Sequence, residues 1–187
     1  HSPYTLSLHD ALSISPLLKL SNNNMSEALL KAMGRKTANA GTAQAGVAAV
    51  AAFMQRQGLD PASLNQVDGS GLSRRNLVSA QTLTDLLLAT SKQPWFEAWY
   101  NALPIAGNPE RISGGSLRYR LRGTPAQNNL HAKTGSMGGV SSLSGYITDA
   151  HGRRLVFSMI SNNYLSDAAP IRALENRLAV ALTQWHD

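Results

Sequence analysis

Three stretches, "NLHAKTG" at 129–135, "VSSLSGYITD" at 140–149 and "RRLVFSMISN" at 153–162, constrain this chain more than any other feature. All three have strand length, together they are rich in β-branched and aromatic residues, and only "SMGG" and "AHG" separate them. Connections that short cannot carry a parallel crossover, so the pattern predicts an antiparallel meander of three strands.

Helical signals surround the meander. Met25, Leu29, Ala32 and Met33 share one helical face, with Asn24 and Glu27 spaced as a capping box. "TAQAGVAAVAAFMQRQG" opens on Thr42, closes at Gly58 and reads as a largely buried helix. "SAQTLTDLLLATSK" comes next with Ser79 as its cap, and then "QPWFEAWYNAL" with Pro94 near its first turn. After the strands, "DAAPIRALENRLAVALTQW" predicts an amphipathic helix with Ile171, Leu174, Leu178 and Leu182 on its inner face. Helices, then a small sheet, then a covering helix make an α+β fold.

The chain has 187 residues, 43% of them hydrophobic, which suits one domain with a real core. It has no cysteine, which removes disulfides, thiolate nucleophiles and cysteine-ligated zinc. No apolar run approaches the roughly 20 residues of a membrane-spanning helix, and no signal-peptide pattern is present. The net charge of +6 invites a polyanion, but the basic residues are dispersed and no aromatic stacking platform accompanies them, so nucleic acid is not the expected partner. The densest basic cluster, Arg118, Arg120 and Arg122, reads as a solvated face of a short element.

Residues 1–13 fit poorly with the rest of the chain. "TLSLHDAL" resembles one reading frame of a sequencing-library adapter, with Ser13 where that frame has proline. We read 1–13 as a non-native segment and 14–187 as the C-terminal part of one domain.

Three motifs remain: "KLSNNN" at 19–24, "DGSGLSRRN" at 68–76 and "AKTGSMGGVSSLSGY" at 132–146. Ser21-Asn22-Asn23 fits a Ser-x-Asn motif and Lys133-Thr134-Gly135 fits Lys-Thr-Gly, two of the three signatures of penicillin-binding proteins and class A β-lactamases. In their order and spacing, from about Ser15 to the C-terminus, they resemble the low-molecular-mass penicillin-binding proteins of the D-alanyl-D-alanine carboxypeptidase and endopeptidase family. The resemblance implies an antiparallel sheet packed between helices, of which this chain would be the C-terminal half.

The resemblance also implies a serine-type peptidase that cleaves peptidoglycan stem peptides through an acyl-enzyme, without metal or organic cofactor. Its partners would be peptidoglycan stem peptides and, as inhibitors, β-lactams, and its place the periplasmic or extracellular cell envelope. By the same resemblance, Ser21 would shuttle a proton to the leaving amine and Asn23 would hold the substrate amide. Lys133 would supply positive potential, and Thr134 would hydrogen-bond the terminal carboxylate. Gly135 followed by a small residue would let a substrate backbone lie along the strand, with the Ser136 N–H as an oxyanion donor. Leu72, Arg74 and Met137 would line a pocket for the stem-peptide side chain, where an arginine suits a free carboxylate. Taken singly, Ser21 and Asn23 also fit a helix N-cap, and Lys133 an edge-strand lysine.

The third signature is missing. Lysines stand at 19, 31, 36, 92 and 133, and the residues three before them are Pro16, Ala28, Met33, Ala89 and Leu130, so no Ser-x-x-Lys occurs. The expectation is a fragment whose nucleophile lies upstream, inactive alone and aggregation-prone because its last strand lacks the partner that the family provides. The alternative is a non-catalytic penicillin-recognising domain that binds peptidoglycan.

Overall fold

The structure, a computed structural model, describes residues 8–186, with side chains from residue 14 onward. Residues 1–7 of the segment read as non-native lie outside the described residues. Residues 8–13 open α1, Leu8–Leu20, a helix the periodicity did not disclose because its apolar residues are not gathered on one face, and which carries Pro16 inside it. The chain divides into two compact units, Asn22–Ala89 and a second made of 1–21 with 90–187.

In the Asn22–Ala89 unit, α2 (Asn23–Ala38) is capped by Asn22, whose Oδ1 accepts from Met25 N at 3.0 Å. The expected capping box through Asn24 therefore does not form. Glu27 is drawn elsewhere, its Oε1 accepting from the N–H groups of Gly69 and Ser70 at 2.9 and 3.0 Å. α3 (Ala43–Arg56) starts at Thr42 as expected, with Oγ1 accepting from Ala45 N at 3.2 Å. It is less buried than its alanine content suggests: only Gly46, Ala49 and Met54 are fully covered. A short antiparallel pair, β1 (Leu64–Asn65) and β2 (Leu77–Val78), closes the loop between them, and Ser79 caps α4 (Ala80–Ser91) by accepting from Thr82 N at 3.0 Å.

The other unit holds the meander. β3 (His131–Met137), β4 (Val140–Thr148) and β5 (Arg154–Asn162) form one antiparallel sheet in the order β3-β4-β5, as the sequence predicts. The register pairs Lys133 with Ser144 and Gly135 with Ser142. Alternation assigns the two faces. Ser141, Leu143 and Ile147 point toward α7 (Ala168–Thr183), while Tyr146 on the opposite face meets Phe96 and Tyr100 of α5 (Phe96–Ala102) at centroid distances of 5.2 and 5.8 Å. The sheet thus lies between helices. Leu117, Leu130, Leu143 and Ile147 are wholly buried in its core, each contributing about 1.5–3 kcal/mol by leaving water.

Two expectations fail here. On α7 the covered positions are Glu175, Ala179 and Thr183, whereas Leu174 and Leu178 are 41% and 45% exposed. The reason is polar: Glu175 is needed inside, where it accepts from Ser141 Oγ at 2.7 Å and from Arg120 at 2.9 Å. For the same reason Arg120 is not on a solvated face but is held by Glu175 and Asn176. Arg118 and Arg122 do stay outside, stacked on the exposed Tyr119 ring at 4.6 and 4.8 Å.

Candidate active site

α1 ends at Leu20, and Ser21 comes next with φ 54, a left-handed conformation uncommon for a residue with a side chain. Its hydroxyl is met by a cation from far along the chain. Lys133, near the start of β3, donates from Nζ to Ser21 Oγ at 2.7 Å and to the carbonyl oxygen of Thr134 at 2.6 Å. Burial pushes the Lys133 ammonium down to about 8. An ammonium with three N–H groups and two protein acceptors keeps one donor for a ligand, so this corner can hold an anion or a developing negative charge.

The register explains why the lysine arrives there. Lys133, Gly135 and Met137 share one face of β3, the face of Tyr146 and α5, and α1 packs against α5. Gly135 lies close to a side chain of the strand paired with it. A Cβ at that position would run into Ser142 Oγ of the paired strand. Ser136 is exposed and Met137 half-buried at the end of the strand.

Thr134 has a partner that motif reading overlooked. Its Oγ1 lies 2.8 Å from Ser116 Oγ. Ser116 belongs to the 3-10 turn Gly115–Leu117, directly after the short helix α6 (Arg111–Gly114). The only sequence signal for it was the Gly-Gly pair at 114–115, which permits a tight turn.

Lys19 was also missed, though it opens "KLSNNN". It is 3% exposed, and its Nζ donates to the carbonyls of Leu103 at 2.5 Å and Ser113 at 3.0 Å. Burial pushes it to about 8, with Glu110 pulling the other way. It ties the end of α1 to α5 and α6, and so fixes the approach to Ser21.

Asn23, Leu72 and Arg74 belong to the Asn22–Ala89 unit. Asn23 is the first residue of α2 and is exposed. Leu72 and Arg74 are exposed on the 68–76 loop, which Asp68 organises. Asp68 Oδ1 accepts from Gly71 N at 2.6 Å and Asn76 Nδ2 at 3.0 Å, and Oδ2 from Ser73 N at 2.9 Å. Burial raises the Asp68 carboxyl, but hydrogen bonds led by that of Gly71 outweigh it and hold the group below its ordinary value. Among the described residues, no group of three or more His, Cys, Asp or Glu is arranged to hold a metal ion, and no helix is long and apolar enough to cross a membrane.

Comparison with known proteins ties these motifs to one family: D-Ala-D-Ala carboxypeptidase 3 (S13) matches residues 7–185. The chain belongs to that family. This S13-family chain is 44% identical over 170 residues to a D-alanyl-D-alanine carboxypeptidase of Actinomadura sp. strain R39, covering 91% of this chain and 31% of the relative. It is 34% identical to the D-alanyl-D-alanine carboxypeptidase DacB of Haemophilus influenzae, covering 81% and 31%. The crystal structure of penicillin-binding protein 4 from H. influenzae superposes with a TM-score of 0.84 at 30% identity, over 92% of this chain and 39% of that one. The chain therefore spans about a third of the length of the curated relatives it matches. An extended-spectrum β-lactamase, 13% identical with a TM-score of 0.59, shares the fold alone.

Proposed function

We propose that this S13-family chain forms one side of the active site of a serine-type D-Ala-D-Ala carboxypeptidase or endopeptidase acting on peptidoglycan stem peptides in the cell envelope. The observation that carries the reading is the hydrogen bond from Lys133 Nζ to Ser21 Oγ, which joins the Ser-x-Asn and Lys-Thr-Gly motifs across 112 residues.

In this reading the nucleophilic serine and its lysine, a Ser-x-x-Lys, lie in the part of the protein outside these 187 residues. The serine oxygen attacks the carbonyl carbon of the penultimate D-alanine, the peptide C–N bond breaks, and the departing amine takes a proton relayed through Ser21. Water then cleaves the ester. Lys133 strengthens the positive potential where the oxyanion and the terminal carboxylate lie, Thr134 hydrogen-bonds that carboxylate, and the Ser136 N–H donates to the oxyanion. Gly135 leaves room for the substrate backbone. Asn23 holds the substrate amide, and the stem-peptide side chain is received by Leu72 and Arg74. A relative in the family, H. influenzae penicillin-binding protein 4, has been crystallised with a β-lactam, which supports β-lactams as inhibitors here.

The test is covalent labelling of the longer protein by a fluorescent penicillin. Labelling that is lost on replacing the Ser-x-x-Lys serine, and slowed at least tenfold by Lys133→Ala, is expected. A complete protein that lacks Ser-x-x-Lys and binds peptidoglycan without ever labelling would instead be a non-catalytic recognition domain.

A further inference from the structure

We infer that Ser116 is a specificity residue: with Thr134 it forms a hydroxyl pair that binds the terminal carboxylate of the substrate. The assignment rests on the DD-peptidase reading and extends it to a residue outside all three motifs.

The side chain of Ser116 is exposed, while its backbone lies in a closely packed turn. Gly115 and Leu117 on either side are buried, Leu117 completely. Gly115 adopts φ 53, a conformation that favours glycine, and a Cβ there would collide with the carbonyl oxygen of Lys19. Lys19 is itself pinned by Leu103 and Ser113. The turn can therefore shift neither toward α1 nor into the core, and the hydroxyl it presents keeps one position. An exposed polar group on so constrained a backbone costs nothing in solvation and gains a preorganised donor.

The partner decides what the donor is for. Ser116 Oγ and Thr134 Oγ1 are 2.8 Å apart, and only one proton can lie between them. The second hydroxyl proton points elsewhere. When an anion arrives both protons can turn to it, one to each carboxylate oxygen, whereas a carboxamide offers one acceptor oxygen and no charge, so that one hydroxyl must turn to accept from its NH2 and both hydrogen bonds are weaker. These hydrogen bonds are charge-assisted because the acceptor is an ionised carboxylate, and Lys133, whose Nζ donates to the Thr134 carbonyl, adds positive potential beside them.

The experiment uses the longer protein and two D-Ala-D-Ala peptides that differ only in a C-terminal carboxylate or carboxamide. Ser116→Ala should raise KM for the carboxylate peptide about tenfold, leave its kcat within about twofold and spare the carboxamide, as loss of one charge-assisted hydrogen bond in ground and transition state requires. Ser116→Thr should restore the wild-type ratio between the two peptides. Equal losses on both peptides in Ser116→Ala, or no loss on either, overturn the assignment alone. A wild type that cleaves neither peptide and takes up no fluorescent penicillin overturns the DD-peptidase reading and the assignment with it.

Discussion

Ser21 Oγ and Lys133 Nζ stand 2.7 Å apart, one at the end of α1 and the other on β3. The bond joins a left-handed serine to a half-buried ammonium that burial brings down to about 8.

Lys133 has a folded pKa of about 8, below its ordinary 10.5. Below pH 8 folded and unfolded states both carry the proton, and the cost of burying the charge is present in full. Between 8 and 10.5 the unfolded state binds more protons, so stability rises with pH. Ligand binding runs the other way, because the cation is lost. Penicillin acylation by the longer protein should fall as pH passes about 8, and the Lys133→Met variant should lack that limb. An unchanged limb in Lys133→Met would remove Lys133 from this role. Lys19, also near 8, adds a stability rise of the same sign, so Lys133→Met should reduce that rise without abolishing it.

Gly135→Ala should destabilise the chain by about 1–3 kcal/mol, because the new methyl meets Ser142 Oγ across the β3–β4 ladder. The oxygen is the whole obstacle, since Ser142 Cβ would be 3.7 Å away. Adding Ser142→Ala should recover most of the loss. Denaturant midpoints of the single and double variants measure it, and a double variant no more stable than Gly135→Ala would contradict the steric account.

Asp68→Ala should loosen the loop that carries Leu72 and Arg74, because it removes the acceptor for Gly71 N, Ser73 N and Asn76 Nδ2. Amide exchange at Gly71 and Ser73 should quicken by about tenfold or more, the equivalent of one or two lost hydrogen bonds. Since the Asp68 pKa is depressed, its stabilisation is present above the unfolded pKa and is lost as pH falls through the folded value. The loop should therefore stay ordered down to acid pH in the native chain, and exchange unaffected by Asp68→Ala would show that Glu27 alone suffices.

Glu175→Leu should cost about 3–5 kcal/mol, since it leaves the Arg120 guanidinium largely buried beside no carboxylate and strips Ser141 of its acceptor. Replacing Arg120 by Met in the same chain should return part of the loss. Thermal unfolding of the three variants would decide, and an additive double variant would mean that the pair is not coupled.

By itself the sequence determined what depends on neighbours along the chain. Strand-length runs of β-branched and aromatic residues and the short turns between them placed β3, β4 and β5 within two residues of their ends, and Thr42 and Ser79 cap their helices because a hydroxyl needs only the N–H groups three residues ahead. Ser21 and Lys133 were legible as motif members. Tertiary packing decided the rest. Hydrophobicity nominated Leu174 and Leu178 for the inner face of α7, but a buried ion pair between Arg120 and Glu175 turned that helix, and no local pattern records a partner 55 residues away. Glu27 left its expected cap for the 68–76 loop for the same reason. Lys19 looks like any lysine until Leu103 and Ser113 close around it, and Ser116 like any serine until a glycine turn sets it against Thr134. Backbone propensity is local and can be read in order; desolvation and hydrogen-bond satisfaction belong to whichever groups the fold brings together.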